Sequence, residues 1–382
     1  MLGLLLVSPG ALANTRTPSS DKTPQTIDSL RALVRHAPLP DSARFQALLA
    51  LSDKLFAQDV AEGRRVGEQA VTFARRRLDW SGAADALYQL VVNCERAADY
   101  VAAMHYSQQG VELTRAHRPR DQWRFTQCLG LVAVDTKDAA GGLRYLRQAY
   151  RQQAATPSVG TRERGGLLLN LANTFLVLQR YDSVLHYATR ALPYMQRAAD
   201  ARGLGYVYQF RGEVYAKLMP RSRASLAAAA TNMQRALRIM QRYRYQPQAA
   251  SSALSLARVY RLQGRPRAAQ RTAELALALA RAEKMPEYEA DALSSLAWAY
   301  ADQKRPARAD ELDARAEDLR DSLFNGNKAQ ALAQLQVRYD VQLLTEQKKA
   351  AEFKQRSQRA QLHSLWLLLG GLATTVGVGG GL

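Results

Sequence analysis

The feature that most constrains this chain is an internal period of about 40 residues. Leu168, Leu171, Ala172 and Phe175 are followed by Tyr181, Val184, Tyr187, Ala188 and Ala191. One period on, after a short insertion, stand Gly212, Tyr215, Ala229 and Ala236. The next period carries Leu256, Ala257, Tyr260, Gly264, Ala269 and Ala276, and the one after it Leu293, Leu296, Ala297, Tyr300, Ala309 and Ala316. Apolar residues three and four apart share one face of a helix, so each period reads as helix, short turn, helix. Such a unit cannot bury its apolar face alone and must stack on its neighbours. The fold class predicted is all-α.

Unit starts at Arg44, Ala84, Trp123, Gly165, Gly205, Ala250 and Ala290 give seven units over residues 44–322. The twenty-seventh position is then Ala70, Gly110, Ala149, Ala191, Ala236, Ala276 and Ala316, small in every unit. The twentieth is Gly63, Ala103, Gly142, Val184, Ala229, Ala269 and Ala309. Small side chains at these points let two helices cross closely. The eleventh position is aromatic in the last four units, at Phe175, Tyr215, Tyr260 and Tyr300, while Lys54, Cys94 and Ala133 stand there in the first three. Extra residues around Leu218-Met-Pro-Arg-Ser222 predict a widened turn in the fifth unit.

This pattern resembles the tetratricopeptide repeat, which carries small residues at the eighth, twentieth and twenty-seventh positions and an aromatic at the eleventh. The resemblance implies a superhelix of about seven helix pairs. The unit here is longer than the roughly 34 residues of that repeat, which predicts longer links between helices. HEAT-type repeats share the longer period, but the small-residue pattern favours tetratricopeptide units.

The ends have their own character. Residues 1–13 are a short apolar run closing on Ala11-Leu12-Ala13, which reads as a signal peptide lacking its usual basic start. Residues 14–26, rich in Pro, Ser and Thr, read as a flexible leader. Residues 27–43 read as a short amphipathic capping helix and a restart, with Asp41 or Ser42 capping the first long helix. Beyond Asn325-Gly326-Asn327, residues 328–361 contain no Gly or Pro and predict a charged helix about 50 Å long. Leu332, Tyr339 and Phe353 keep a seven-residue spacing, with Leu335 beside them and Glu346 interrupting. They predict a weak coiled coil and a homodimer seam, with a single solvated helix as the competing reading. Residues 362–382 carry no charged side chain and just reach the roughly 20 apolar residues of a membrane span. They read as a transmembrane helix at which the chain is truncated. Together the two ends predict a single-pass inner-membrane protein with its repeats in the periplasm.

That order of segments resembles the sensory half of membrane-bound bacterial tetratricopeptide signalling proteins of the sensor histidine kinase type. The resemblance implies a sensing or protein-interaction domain, the input half of a two-component protein, whose output half is absent. The alternative is a tetratricopeptide scaffold, membrane-tethered or cytosolic, without signalling output. A third class, a basic nucleic-acid binder, is suggested by the excess of 53 Lys and Arg over 34 Asp and Glu. The cations are spread over every unit instead of forming one stripe, so nucleic acid is not the partner expected.

No chemistry stands out. The sequence has no H-E-x-x-H, no G-x-S-x-G and no phosphate-binding G-x-x-x-x-G-K-[ST]. The five His are scattered, and none has the context of a kinase phosphoacceptor. Cys94 and Cys128 fall on first helices of neighbouring units, and read as two buried thiols in preference to a bridge. No enzyme activity, cofactor or metal is expected. In the family resembled, the concave face is lined by the second, fifth, ninth and twelfth positions of the first helices. Carried over, those positions are Tyr88, Arg124, Gln127, Asn173, Tyr206, Gln209, Glu213, Arg258, Arg261 and Trp298, with Glu95 and Asp291 beside them. A groove of mixed polar and aromatic character suits an extended peptide or a helix of a protein partner. Asn173 fits one position of the family's carboxylate clamp, but Leu169 and Glu213 occupy two others, which disfavours the clamp.

Overall fold

The structure, a computed structural model, describes residues 26–36, 40–218 and 222–323, with a few more between 343 and 358. The chain divides into two compact units, Met1–Gln330 and Ala331–Leu382. In the first, α1 (Ile27–His36) precedes seven helix pairs. These are α2 (Asp41–Phe56) with α3 (Val60–Arg76), α4 (Trp80–Arg96) with α5 (Tyr100–His117), and α6 (Gln122–Asp135) with α7 (Ala139–Ala154). They continue with α8 (Thr161–Val177) and α9 (Tyr181–Arg197), α10 (Ala201–Lys217) and α11 (Arg223–Arg242), and α12 (Gln246–Leu262) and α13 (Pro266–Ala282). The last pair is α14 (Pro286–Asp302) and α15, residues 306–323. Among the described residues there is no strand.

The turns explain the breaks between helices. Ala98, Lys137, Gln179, Gly264 and Lys304 end the first helices with φ of 56°, 70°, 56°, 67° and 60°. Leu78, Ala199, Arg244 and Lys284 do the same between pairs. The next residue's N–H then donates to the carbonyl five residues back, as from Asp99 to Cys94 at 2.8 Å and from Arg180 to Phe175 at 2.9 Å. This is the left-handed helix terminus that satisfies otherwise orphaned carbonyls. At Asp79, Asp99, Asp138 and Asp200 the residue after the turn also caps the next helix with its carboxylate, and Asp59 caps α3 in the same way without a left-handed residue before it. The first long helix differs from the sequence reading. Pro40 stands at its N-cap, and Asp41 lies inside its first turn, where Arg77 donates to it at 2.6 Å. A carboxylate there faces the positive end of the helix dipole. The Arg77 guanidinium holds the Asp41 carboxyl below the usual range.

The small residues mark where helices meet. Ala70, Ala149, Ala191, Ala236, Ala276 and Ala316 are all 0 % exposed. At the same repeat position, a Cβ on Gly110 would stand 2.1 Å from the Phe125 ring. In the third pair the backbones themselves touch, since a Cβ on Gly142 would lie 2.7 Å from the Gly130 carbonyl oxygen. Each second helix packs on its own first helix and on the next one, and successive first helices also touch each other. Successive second helices lack comparable contact. The stack therefore curves with the first helices on its inner side. Buried Leu30 and the Arg31–Glu62 ion pair at 2.7 Å tie α1 over the first pair.

The expected inner-membrane placement is corrected: among the described residues no helix is long and apolar enough to cross a membrane. The periplasmic placement built on that span goes with it. Residues 362–382 lie outside the described residues, as do the signal-peptide and leader segments up to residue 25. Of the expected dimer seam, Leu332, Leu335 and Tyr339 lie outside them too. Phe353 is helical and 74 % exposed.

Candidate functional site

The first helices α4, α6, α8, α10, α12 and α14 bring the expected groove residues onto the inner layer, one helix beside the next. Three contacts join them across neighbouring units. The Arg124 guanidinium lies 4.5 Å from the Tyr88 ring centroid and donates to Asp85 at 2.9 Å. Arg258 donates to Glu213 at 2.7 Å, and the Ser255 hydroxyl donates to the other Glu213 oxygen. Arg261 lies 4.9 Å from the Trp298 centroid and pairs with Asp302 at 3.5 Å. Gln209 donates to Ser251 at 3.1 Å, again one unit along.

Access is uneven. Tyr88, Gln127, Asn173, Tyr206, Gln209 and Glu213 are buried. Arg258, Arg261 and Trp298 are open, with Trp298 46 % exposed, so solvent reaches the inner layer at the sixth and seventh pairs.

A second cluster lies at the ends of α4 and α6. Glu95 and Asp135 are both buried. Burial raises Asp135 to about 7 and pushes Glu95 well above the usual carboxylate range, where the Asp135 charge adds to the effect. Glu95 Oε1, Asp135 Oδ1 and Gln127 Oε1 have no hydrogen-bond partner among the described residues. A buried polar group left unpaired costs about 1–3 kcal/mol. Repeat position pointed to Glu95 and Gln127; Asp135 lies one residue beyond the twelfth position, and nothing in the sequence marked it. Cys94 and Cys128 are free and buried, as two separate thiols. Burial pushes Cys94 up to about 12 and Cys128 well above its ordinary value, which leaves both unreactive. No group of three or more His, Cys, Asp or Glu that could hold a metal occurs among the described residues.

No protein-family model matches the chain, and neither does any curated protein sequence. Solved structures do resemble it. RapI in its apo form aligns with a TM-score of 0.55 at 10 % identity, covering 74 % of this chain and 99 % of that one. The apo quorum sensor NprR from B. thuringiensis aligns with a TM-score of 0.54 at 15 % identity, covering 79 % and 83 %. A signal transduction ATPase of Pyrococcus horikoshii with a tetratricopeptide repeat sensor gives 0.54 at 15 %, covering 81 % of this chain but 44 % of that one. At these identities the likeness is one of fold. The fold is an all-helical repeat like that of tetratricopeptide-repeat proteins. A membrane-bound kinase context finds no support in these likenesses.

Proposed function

We propose that this chain is a protein-interaction module that holds a peptide or a helix of a partner protein against the inner layer of its sixth and seventh pairs. The observation that carries the reading is Trp298. It stands open on an inner helix with the Arg261 guanidinium over its ring and Arg258 one helical turn before Arg261. A tryptophan held flat by a cation offers a large apolar contact at little entropic cost, and the two arginines, already paired with Glu213 and Asp302, have N–H donors left over for the carbonyls of a bound peptide. Binding there, not catalysis, is what these side chains can do.

The test uses 15-residue peptides enriched on the full chain from a random display library, with affinity read by fluorescence polarisation. Trp298→Ala and a combined Arg258→Ala, Arg261→Ala variant should each weaken binding at least tenfold. Peptides that bind both variants like the parent protein would place the interaction elsewhere.

A further inference from the structure

α11 carries Arg235, Arg238 and Arg242 at i, i+3 and i+7, which places three cationic side chains on one helix face. Ile239 lies on the same face. Against it α10 presents Leu204 and Tyr208, four residues apart. Between the two helices is a pocket of about 850 Å³. That size falls within the roughly 300–1,000 Å³ of small-molecule sites. On α10 the inner-layer residues Tyr206, Gln209 and Glu213 take the opposite helix face, so the pocket is separate from the groove.

The charge in this pocket is unbalanced. No Asp or Glu lines it. Among the described residues none of the three arginines makes an ion pair, although such pairs are common elsewhere in the array. Aromatic rings hold two of them instead: Arg235 lies 5.6 Å from the Tyr208 centroid and Arg242 5.8 Å from that of Tyr243. The Arg238 Nε–H reaches only the Gln234 carbonyl of its own helix, at 3.4 Å. Like charges at this helical spacing repel, and a bound anion relieves the repulsion. Leu204, Ile239 and the tyrosine rings supply an apolar wall for the rest of the ligand.

We infer that this pocket binds a small organic anion, an acid group on a flat or chain-like apolar body. The acid group meets Arg235, Arg238 and Arg242, and the apolar body lies against Leu204, Ile239 and Tyr208. A small molecule fits better than an acidic peptide because the lining comes from α10, α11 and the turns at their ends, at Ala199 and Tyr243.

The test titrates the full chain with 8-anilinonaphthalene-1-sulfonate and with its uncharged analogue N-phenyl-1-naphthylamine. The sulfonate should bind at least tenfold tighter than the neutral amine. Arg238→Glu and Arg242→Glu should each weaken the sulfonate at least tenfold and leave the amine unchanged, while Arg238→Lys keeps most of the affinity. Trp298→Ala should have no effect, which separates this site from the groove. The arginines are exposed, so far-UV circular dichroism should show the variants folded. Equal affinity for the two probes, or indifference to both charge reversals, would overturn the assignment. So would displacement of the sulfonate by a Glu- and Leu-rich peptide at lower concentration than by naphthalene-1-sulfonate, which would make the pocket a peptide-docking site.

Discussion

Arg265 and Tyr260 are joined twice. The Arg265 backbone N–H donates to the Tyr260 carbonyl at 2.9 Å, and its guanidinium lies 4.9 Å from the centre of the Tyr260 ring. The arrangement recurs at Arg305 and Tyr300, with 3.0 Å and 5.0 Å, and at Arg180 and Phe175, with 2.9 Å and 5.8 Å. In the second and third pairs the same backbone bond links Asp99 to Cys94 and Asp138 to Ala133. Without a ring to cover, the residue after the turn is an aspartate that caps the following helix. One turn geometry is thus closed by two chemistries, a cation over a ring or a carboxylate on amides.

The two chemistries should separate in a mutant cycle. Tyr260→Leu and Arg265→Ala, singly and together, should show a coupling of about 0.5–1 kcal/mol in urea unfolding. Asp138→Ala should cost about 1 kcal/mol through the lost cap. A coupling indistinguishable from zero would mean that the ring and guanidinium merely coincide.

Leu78 is 70 % exposed and holds φ of 57°, a conformation that costs a side-chain-bearing residue about 1–2 kcal/mol. Leu78→Gly removes that strain and an exposed apolar side chain together. The variant should unfold at higher temperature than the parent, with a gain of about 1 kcal/mol after the entropy of glycine is counted. A lower melting temperature would show that Leu78 contributes packing not evident from its exposure.

Gly110 touches Phe125 where α5 meets α6, and a Cβ would stand 2.1 Å from the ring. Phe125 is fully buried, so its ring can make room only by displacing its neighbours. Gly110→Ala should therefore destabilise by about 1–3 kcal/mol in denaturant unfolding. Adding Phe125→Leu should recover part of the loss. Full stability in the single variant would mean that the helix pair shifts freely.

Asp135 ties stability to pH. Its carboxyl titrates near 7 when folded because burial disfavours the charged form. It therefore binds more protons folded than unfolded between its ordinary value and about 7, and stability falls as pH rises through that window. Glu95 acts in the same direction. Thermal melts of Asp135→Asn should show a raised melting temperature at pH 8 relative to the parent and little difference at pH 4. The reverse order would mean that the Asp135 carboxylate finds a partner when ionised.

The repeat itself was legible because its marks are local. A small residue every 40 positions, as at Ala236 and Ala276, follows from the volume left where two helices cross, and the aromatic at Tyr260 and Tyr300 follows from the turn beside it. The inner-layer residues were legible only as positions. Their exposure was not, since Gln127 is 1 % exposed and Trp298, also on a first helix, is half open. The expected membrane placement rested on the apolar character of the two ends, and among the described residues no helix is long and apolar enough to cross a membrane.

What the sequence determined by itself is the all-α class, the period and the crossing points, because helix pitch and side-chain volume are properties of short segments. What only the tertiary structure decided is which side chains meet. Glu213 finds Arg258, Tyr88 finds Arg124, and Tyr208 faces Arg235 across a pocket. These partners stand some tens of residues apart and meet only through the angle and offset at which each pair stacks on the next. That geometry is set by the summed packing of many side chains, and no single spacing in the sequence encodes it.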